Sequence, residues 1–439
     1  MSPGQARVLV QIAVLAVAML AAPGLSILPY VLPLSLLACA AGARAPDPEV
    51  SPVDMFWLLM AIFFVLAPAA TLTEPEGSLF FARGAIVEYP FGARVIYPQH
   101  HLILLFTALF IAHLAAFALL PAGRPERRDL RVLIPAPVAV AILIALFLAD
   151  ISLRGGWANA AAPRLGKSGE ASLFAVFSRA AFMAFALVCL AAPRSGVAGL
   201  AVKALALVLT AILFNPFNVA RFMLLQAWLP ILLILLPGLR GYGRFCLAAL
   251  AGLVVVLPVL SLTSRFGVEM AALALQRLSP DRFLAYLDAS HVLLHLQTLI
   301  ERDGHSFGAS LGAILFFFVP RTLWPGKPEV LGAYVGDDLL SGALVGTANL
   351  SGPVLGDLMR DFGMIGVVVG SVLLALGFRM VLLRLHRLNG VPVLSFMLIA
   401  QLPILYRGSV GAVLGPALFS LMFYWLFVAI LPRVTFRGG

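Results

Sequence analysis

Charge is scarce in this sequence. Of its 439 residues, 11% are Asp, Glu, Lys or Arg, while 62% are hydrophobic and the mean hydropathy is +1.03. A water-soluble chain of this length would need a much larger polar surface, so the composition excludes a soluble globular protein. It predicts an all-α protein that crosses a membrane many times. Because so few charges are present, the segments that concentrate them are the first candidates for a functional site.

Cysteines are few, and several common sequence features are missing. The three cysteines lie inside apolar runs, which predicts small core residues rather than disulfides or metal ligands: Cys39, Cys189 and Cys246. We therefore expect no metal and no cofactor. No soluble domain, solenoid repeat, P-loop or cleavable signal peptide is apparent, so residues 1–439 are predicted to form a single membrane domain. The net charge of +10 fits the inside-positive bias and anionic lipid better than nucleic acid.

Twelve apolar runs in the sequence are each about long enough to cross ~30 Å of hydrocarbon. They span residues 8–22, 25–42, 53–71, 102–120, 132–149, 171–192, 198–214, 222–238, 245–263, 362–378, 391–407 and 412–431. A further run, ASLGAILFFFVP at 309–320, is short for a span, so we expect it to be a re-entrant or interfacial segment.

Basic residues set the expected orientation. RPERRDLR at 124–131 and RMVLLRLHR at 379–387 are the strongest basic clusters in short connections, which predicts that both are cytoplasmic. Both termini are then cytoplasmic as well. Residues 264–361 form a large periplasmic loop region, provided that 309–320 does not cross the membrane. We expect this loop to carry the catalytic residues.

The polar part of that loop opens with FFFVPRTLWPGKP at 316–328, which brings together Arg321, Trp324 and Lys327. Arginines in an outer loop have two explanations: salt bridges with the outer acids, or a binding site for an anion such as phosphate. Trp324 either anchors the loop at the membrane interface or contacts a ligand.

The segment 281–302 is predicted to be an amphipathic helix on the outer membrane surface. Its polar residues recur at steps of three and four, and they include His291 and His295. A metal site is disfavoured because no glutamate lies between the two histidines in the HExxH arrangement. The remaining alternatives are a solvated polar face and a histidine that acts as a general base.

Other charges lie at or near helix ends. Arg221 follows NPFNVA at the start of one helix, and Arg407 ends another; each either snorkels to the interface or contacts an anion. Arg179 lies inside the run 171–192, so it must face the interior of the bundle or a wet cavity.

Asp357, Arg360 and Asp361 follow each other at steps of three and one along a predicted helix entrance. This spacing favours an ionic cluster on one helical face. The alternative is that the acids stabilise the helix start through the helix dipole.

These segments resemble the membrane polymerases of bacterial surface polysaccharides, the O-antigen and exopolysaccharide repeat-unit (Wzy-type) family. The resemblance rests on LDASHVLL, ERDGHSFGASLGAILFFFVPRTLWPGKP and NLSGPVLGDLMRDFGMIGVVVG between residues 287 and 370, and on FNPFNVARF upstream. FVPRxLWPxKP is its most specific part. The chain departs from the family pattern at Asp357, where a glutamate followed closely by an aromatic residue is usual.

The resemblance implies an enzyme of the bacterial inner membrane that needs no cofactor. It would transfer a growing glycan from undecaprenyl diphosphate to a sugar hydroxyl of another lipid-linked repeat unit at the periplasmic face. Its partners would be the lipid-linked oligosaccharide, the bilayer, and a flippase and chain-length regulator of the same pathway. A glycan ligase and a transporter or flippase of the same lipids stay open as alternatives.

The reaction needs cations around the departing diphosphate and a base for the attacking hydroxyl. We expect Arg321 and Arg221 to bind the diphosphate, with support from Lys327, Arg360 and Arg407. Asp357 is the first candidate for the base, with His291 and His305 as alternatives, and Trp324 is the candidate for stacking on a sugar ring.

Overall fold

The structure is a computed structural model. It describes residues 49–61, 78–82, 85–89, 134–161, 173–192, 196–215, 219, 221–252, 290–341, 352–386, 391–407 and 410–430, together with positions 9, 12, 13 and 16. The predicted spans at 25–42 and 102–120, the basic cluster at 124–131 and most of the first span lie outside the described residues, as do both chain ends.

The regular secondary structure of the described residues is helical, apart from one short antiparallel hairpin and an isolated bridge between Glu49 and Gly241. The hairpin pairs β1 (Ser78–Ala82) with β2 (Ala85–Tyr89), between the predicted spans at 53–71 and 102–120. The helices are α1 Pro52–Ala61, α2 Ala136–Leu153, α3 Trp157–Ala161, α4 Leu173–Ala191, α5 Gly196–Leu213, α6 Arg221–Leu235, α7 Tyr242–Ala251, α8 Ser290–Asp303, α9 Ala309–Leu315, α10 Leu331–Ser341, α11 Val354–His386, α12 Val391–Arg407 and α13 Val410–Ile430.

Helix α4 lies at the centre of the bundle. It packs against α2, α5, α6 and α13, and its residues from Ser178 to Leu190 are buried without interruption. A helix that is apolar all round is expected in such a position. Several of its residues are alanines, and small side chains let neighbouring backbones approach closely where lipid gives little hydrophobic drive for association. The core around α4 also includes residues of α12.

A second group of helices, α8 to α10 and the first part of α11, is built from the predicted periplasmic loop. Helix α8 contacts α10 and α11, and α9 contacts α11 and α13. The amphipathic character predicted for this segment is present, because Val292, Leu296 and Leu299 form a buried stripe along α8. The stripe is covered by protein in the structure, whereas the sequence predicted that this helix lies on the membrane surface.

Four described helices are long and apolar enough to cross a membrane: Ala136–Leu153, Leu173–Ala191, Gly196–Leu213 and Val354–Val381. Shorter apolar stretches occur in α6, α12 and α13. The structure therefore confirms the helical membrane-protein class in its coarse form. By contrast, α9 has only seven residues, which is about 10 Å of helix and far less than a bilayer requires.

Gly363 breaks α11 into two parts. Its backbone has φ 64° and ψ −153°, a conformation that is essentially restricted to glycine. Beyond this corner, Gly366 and Gly370 lie against Leu358 so closely that a Cβ on either would be within 3 Å of it. The sequence before the corner, from 354 to 362, is thus folded back onto the helix that follows, and it carries the predicted Asp357, Arg360 and Asp361 cluster.

Candidate functional site

Lys327 stabilises the loop between α9 and α10 through hydrogen bonds from its side chain to the loop backbone. Its ammonium group donates hydrogen bonds to the carbonyl oxygens of Phe316, Phe317 and Val319, at 3.1, 3.0 and 2.9 Å. These carbonyls follow the end of α9, where the helix leaves acceptors without partners and a cation is favoured by the dipole. All three donors of the ammonium are directed to the backbone. The structure thus gives Lys327 a role in the loop, and its predicted contact with a diphosphate stays a prediction.

Two arginines are attached to the same short stretch of this loop. Arg321 donates from Nη1 to the carbonyl of Lys327 at 2.8 Å, and Arg360 donates from Nη1 to the carbonyl of Glu329 at 3.0 Å. Residues two apart in an extended chain are at most about 7 Å apart. Each guanidinium has five N–H groups, so most of its donors stay available for a ligand. The sequence predicted Arg221 as the main partner of Arg321 and gave Arg360 a supporting role, whereas the described contacts place Arg321 and Arg360 on the same stretch of backbone.

The surroundings of Arg321 are apolar and exposed. Arg321 itself is exposed, and Leu315, Phe316, Phe318 and Leu323 show between 49% and 78% of their surface. Aromatic and apolar side chains around an arginine are typical of the headgroup level of a membrane, where the charge is wet and its neighbours contact lipid.

Arg360 also contacts a polar network that consists of Tyr334, Asp303, Arg302 and Asp338. Its guanidinium lies over the ring of Tyr334, 3.7 Å from the ring centroid, and the Tyr334 hydroxyl donates to Asp303 at 2.7 Å. Arg302 binds the carboxylate of Asp303 with two donors and reaches Asp338 with a third. Hydrogen bonds from Arg302 and then Tyr334 lower the pKa of Asp303 to about 2. Partial burial, followed by the Asp303 contact, raises the pKa of Tyr334 to about 12.

The predicted acids of this region have different environments. Asp361 is fully buried and accepts hydrogen bonds from the backbone N–H groups of Ser310 and Leu311, at 3.0 and 2.8 Å, and from the Ser306 hydroxyl. It therefore stabilises the first turn of α9, as an acid at a helix N-terminus should. The ionic cluster predicted from the spacing does not include it.

Asp357 is buried, with 2% of its surface exposed, and its Oδ2 atom has no hydrogen-bond partner. A buried carboxylate oxygen without a partner is costly, and such atoms are rare in proteins. Asp357 is also closed off from solvent, so a substrate hydroxyl cannot reach it in this conformation.

His305 is exposed and lies beside the corner at Gly363. Its Nδ1 lies 3.3 Å from the carbonyl oxygen of Arg360. A carbonyl only accepts hydrogen bonds, so this contact requires the proton on Nδ1 and leaves Nε2 as the basic nitrogen of the neutral ring. Two residues further on, Phe307 has a positive φ of 45°, a backbone conformation that is uncommon outside glycine. Of the candidate bases whose side chains are described, His305 is the accessible one.

For three of the four remaining predicted residues, the structure describes the backbone but not the side chain. Arg221 begins α6, His291 lies in the first turn of α8, and Arg407 ends α12; their side chains lie outside the described part of the structure. Trp324 is partly exposed, and its ring lies 4.0 Å from the position that a Cβ on Gly312 would take. Its predicted role in stacking on a sugar stays a prediction.

An aromatic chain connects the loop to the centre of the bundle. Phe317 packs on Phe419 of α13, with ring centroids 5.5 Å apart, and Phe419 stacks on Phe177 of α4 at 3.8 Å. Phe177 lies two residues before Arg179. The loop that carries Arg321 is thus connected to the helix of the buried arginine through Phe419 of α13.

Arg179 belongs to an ionic group that the sequence did not predict. Its Nη2 donates to Asp150 of α2 at 2.9 Å, and Arg154 donates to both oxygens of the same carboxylate at 3.1 Å. Ser178 adds a hydroxyl donor. Arg179 was predicted to face either the bundle interior or a wet cavity; it is buried in the bundle and also lines a cavity. The available signal for its partner was a lone acid, Asp150, near the end of an apolar run and four residues before Arg154.

Within the described residues, no group of three or more His, Cys, Asp or Glu side chains is close enough to hold a metal ion. Comparison with protein-family models, curated proteins and solved structures gave no match for this chain.

Proposed function

We propose that this protein is a polysaccharide repeat-unit polymerase of the bacterial inner membrane. It transfers a growing glycan from undecaprenyl diphosphate to a sugar hydroxyl of another lipid-linked unit at the periplasmic face. This proposal includes twelve membrane-spanning helices, cytoplasmic termini and the periplasmic position of residues 264–361. The observation that supports it most is the attachment of Arg321 and Arg360 to carbonyls two residues apart, on a loop with exposed apolar neighbours.

This arrangement suits a lipid diphosphate for physical reasons. Exposed apolar side chains beside Arg321 match the depth at which a lipid headgroup lies. Two guanidiniums fixed by the same stretch of backbone can engage a diphosphate with little loss of side-chain entropy. As the glycosyl bond breaks, negative charge grows on the departing diphosphate, and positioned cations stabilise that charge.

The attacking hydroxyl requires a base, and His305 is the candidate that the geometry supports best. Its Nδ1–H is oriented toward the carbonyl of Arg360, so Nε2 is free to accept the proton of the acceptor sugar. This carbonyl belongs to Arg360, whose guanidinium is the second proposed ligand of the diphosphate. The backbone of Arg360 therefore positions the base, and its side chain supplies a cation. The burial of Asp357 makes it the weaker candidate.

The test is a reaction of the purified protein in proteoliposomes with a defined undecaprenyl-diphosphate repeat unit as the only glycan. A ladder of products, each longer by one unit, supports a polymerase. Transfer to a different acceptor, with no ladder, would show a ligase. Movement of the lipid across the bilayer, with no new glycosidic bond, would show a flippase. Either of the last two outcomes would overturn the proposal.

A further inference from the structure

A half-enclosed cavity of about 40 Å³ lies between α4, α6, α12 and α13. We call it the arginine cavity. Its polar lining consists of Arg154, Arg179, Gln226, Gln401 and Ser420, and the rest of its wall is mostly apolar. The sequence-based candidates for diphosphate binding do not include any of these residues.

Among the described residues, the charges around the arginine cavity do not balance. Arg154 and Arg179 both bind Asp150, whose side chain is completely buried. Two guanidiniums and one carboxylate leave one positive charge in excess, and the side chains of the two arginines are only 17% and 8% exposed. Positive charge at such a site is costly unless an anion or water compensates for it. The described residues that line the cavity supply no second acid.

The neutral polar groups of the lining can also donate hydrogen bonds to an anion. The Gln226 amide donates to Gln401 Oε1 at 2.6 Å, which leaves the Gln401 amide nitrogen as a donor on the cavity wall. The Ser420 hydroxyl is another. A cavity of about 40 Å³ has room for roughly three waters or for one tetrahedral oxyanion of similar size.

We propose that the arginine cavity binds one phosphate group, carried by the headgroup of a polyprenyl phosphate lipid. Arg154 and Arg179 would give charge-assisted hydrogen bonds to the phosphate oxygens, and Gln401 and Ser420 would complete the shell. The choice of a polyprenyl lipid rests on the proposed function, because glycan transfer releases polyprenyl diphosphate, and undecaprenyl phosphate presents a terminal phosphate of the same kind. Phe177 and Phe419 are the sequence neighbours of the cavity-lining Val176 and Ser420, and Phe419 packs on Phe317 of the Arg321 loop, so the cavity would give the departing carrier a second binding position joined to that loop by one chain of aromatic contacts.

The experiment measures binding without turnover. The full-length protein is placed in nanodiscs of phosphatidylcholine and titrated with undecaprenyl phosphate, undecaprenol or inorganic phosphate, with complexes detected by native mass spectrometry. We expect undecaprenyl phosphate to bind and undecaprenol to bind much more weakly. Equal binding of the two lipids would overturn the proposal, because the phosphate would then contribute nothing. Binding of inorganic phosphate alone would show a site for the free anion and would overturn the lipid source.

Variants make the test specific for the cavity. Arg154→Gln and Arg179→Gln should each weaken binding of undecaprenyl phosphate by about tenfold or more, as expected for one lost charge-assisted hydrogen bond. Asp150→Asn should tighten binding, because it removes the only carboxylate from the group. Lys203→Gln is the matched control, since it removes one positive charge from α5 outside the cavity lining. Wild-type affinity in both the Arg154 and Asp150 variants would overturn the proposal.

Folding defects do not leave the proposal untested. Asp150→Asn should lower the melting temperature in the absence of phosphate, because two guanidiniums then face each other, and added phosphate lipid should restore it. A loss that phosphate lipid does not restore would count against the site. Failure of the proposed function would look different, because a protein without polymerase activity would still bind the phosphate lipid in the arginine cavity.

Discussion

The guanidinium of Arg360 lies 3.7 Å above the ring of Tyr334 and is fixed there while it donates to the carbonyl of Glu329. This contact connects two parts of the chain that are 26 residues apart in the sequence. Stacking on an aromatic ring leaves the edge of the guanidinium free for planar recognition of an oxyanion, which a lysine could not reproduce. The Tyr334 hydroxyl in turn donates to Asp303, so the position of the cation depends on a polar network beneath it.

That network should have a measurable pH dependence. Burial and the Asp303 contact raise the pKa of Tyr334 to about 12, from 10.0 in an unconstrained tyrosine. A raised pKa means that the neutral phenol is favoured in the folded state, so its stabilisation is complete below pH 10 and is lost as the pH rises through 12. We expect the difference in absorbance at 295 nm between wild type and Tyr334→Phe to titrate near pH 12.

Asp303→Asn supplies the control for this titration. Without the carboxylate, the pKa of Tyr334 should fall toward its ordinary value, and the difference spectrum should move to lower pH. A titration near pH 10 in the wild-type protein would mean that neither the partial burial of Tyr334 nor its contact with Asp303 is present in solution.

The buried acids of α11 should behave differently from each other. Asp361→Asn should lower the free energy of unfolding by ~1–3 kcal/mol, because the carboxylate accepts several hydrogen bonds at the start of α9. Asp357→Asn should not lower it, because Asp357 Oδ2 has no partner to lose. Chemical denaturation of both variants gives these values. A larger loss for Asp357→Asn than for Asp361→Asn would contradict the structure.

The same variants separate the candidate bases. Asp357→Asn should keep polymer formation, whereas His305→Gln should reduce the rate by roughly 100-fold or more, the contribution typical of a general base. The rates come from the product ladder in proteoliposomes. If Asp357→Asn is inactive at normal stability and His305→Gln is active, the base is Asp357 and not His305.

The corner at Gly363 should tolerate no side chain. Gly363→Ala is expected to cost ~1–3 kcal/mol in free energy of unfolding, because an alanine does not adopt φ 64° with ψ −153° without strain. The new methyl group would also lie 3.2 Å from the His305 ring. Gly377→Ala is the matched control in the same helix, since nothing lies within 4 Å of its Cβ position and its backbone is helical.

For Gly377→Ala, unchanged or slightly raised stability is expected, because alanine is the better helix former. Equal effects of the two substitutions in a thermal or chemical unfolding experiment would argue that the corner is absent.

Several helices could be predicted closely from the sequence. The apolar runs at 132–149, 171–192, 198–214, 391–407 and 412–431 match α2, α4, α5, α12 and α13 to within a few residues at either end. Hydropathy works well here because a lipid-facing or fully buried helix needs an unbroken apolar run. The shortness of 309–320 was also a reliable signal, since only seven of its residues form α9.

The site could be predicted only in part. The sequence identified Arg321 and Arg360 as candidates because both lie in a segment predicted to be a polar outer loop of a chain with few charges. It could not show that Lys327 contacts the carbonyls after α9, or that Asp361 is partnered while Asp357 Oδ2 is not. These differences depend on which backbone groups the folded chain brings near each side chain, and hydropathy and spacing carry no information about that.

The ionic partner of Arg179 could not be predicted from the sequence either. Arg179 and Asp150 are 29 residues apart, on different helices. The sequence showed that Arg179 had to face the bundle interior or a wet cavity, but it did not show that Asp150 is its partner. That pairing is made by the packing of α2 on α4, which positions Asp150 beside Ser178 and Arg179.

The most direct test of the polymerase proposal compares purified wild-type protein with Arg321→Lys in the proteoliposome reaction. Arg244→Lys is the control, because Arg244 is an exposed arginine of α7 outside the candidate site. The proposal predicts a ladder of products from the wild type and from Arg244→Lys, and a strongly shortened or missing ladder from Arg321→Lys, since lysine keeps the charge but loses the forked donors that match a phosphate. A wild-type ladder from Arg321→Lys, or no ladder from the wild-type protein, would contradict it.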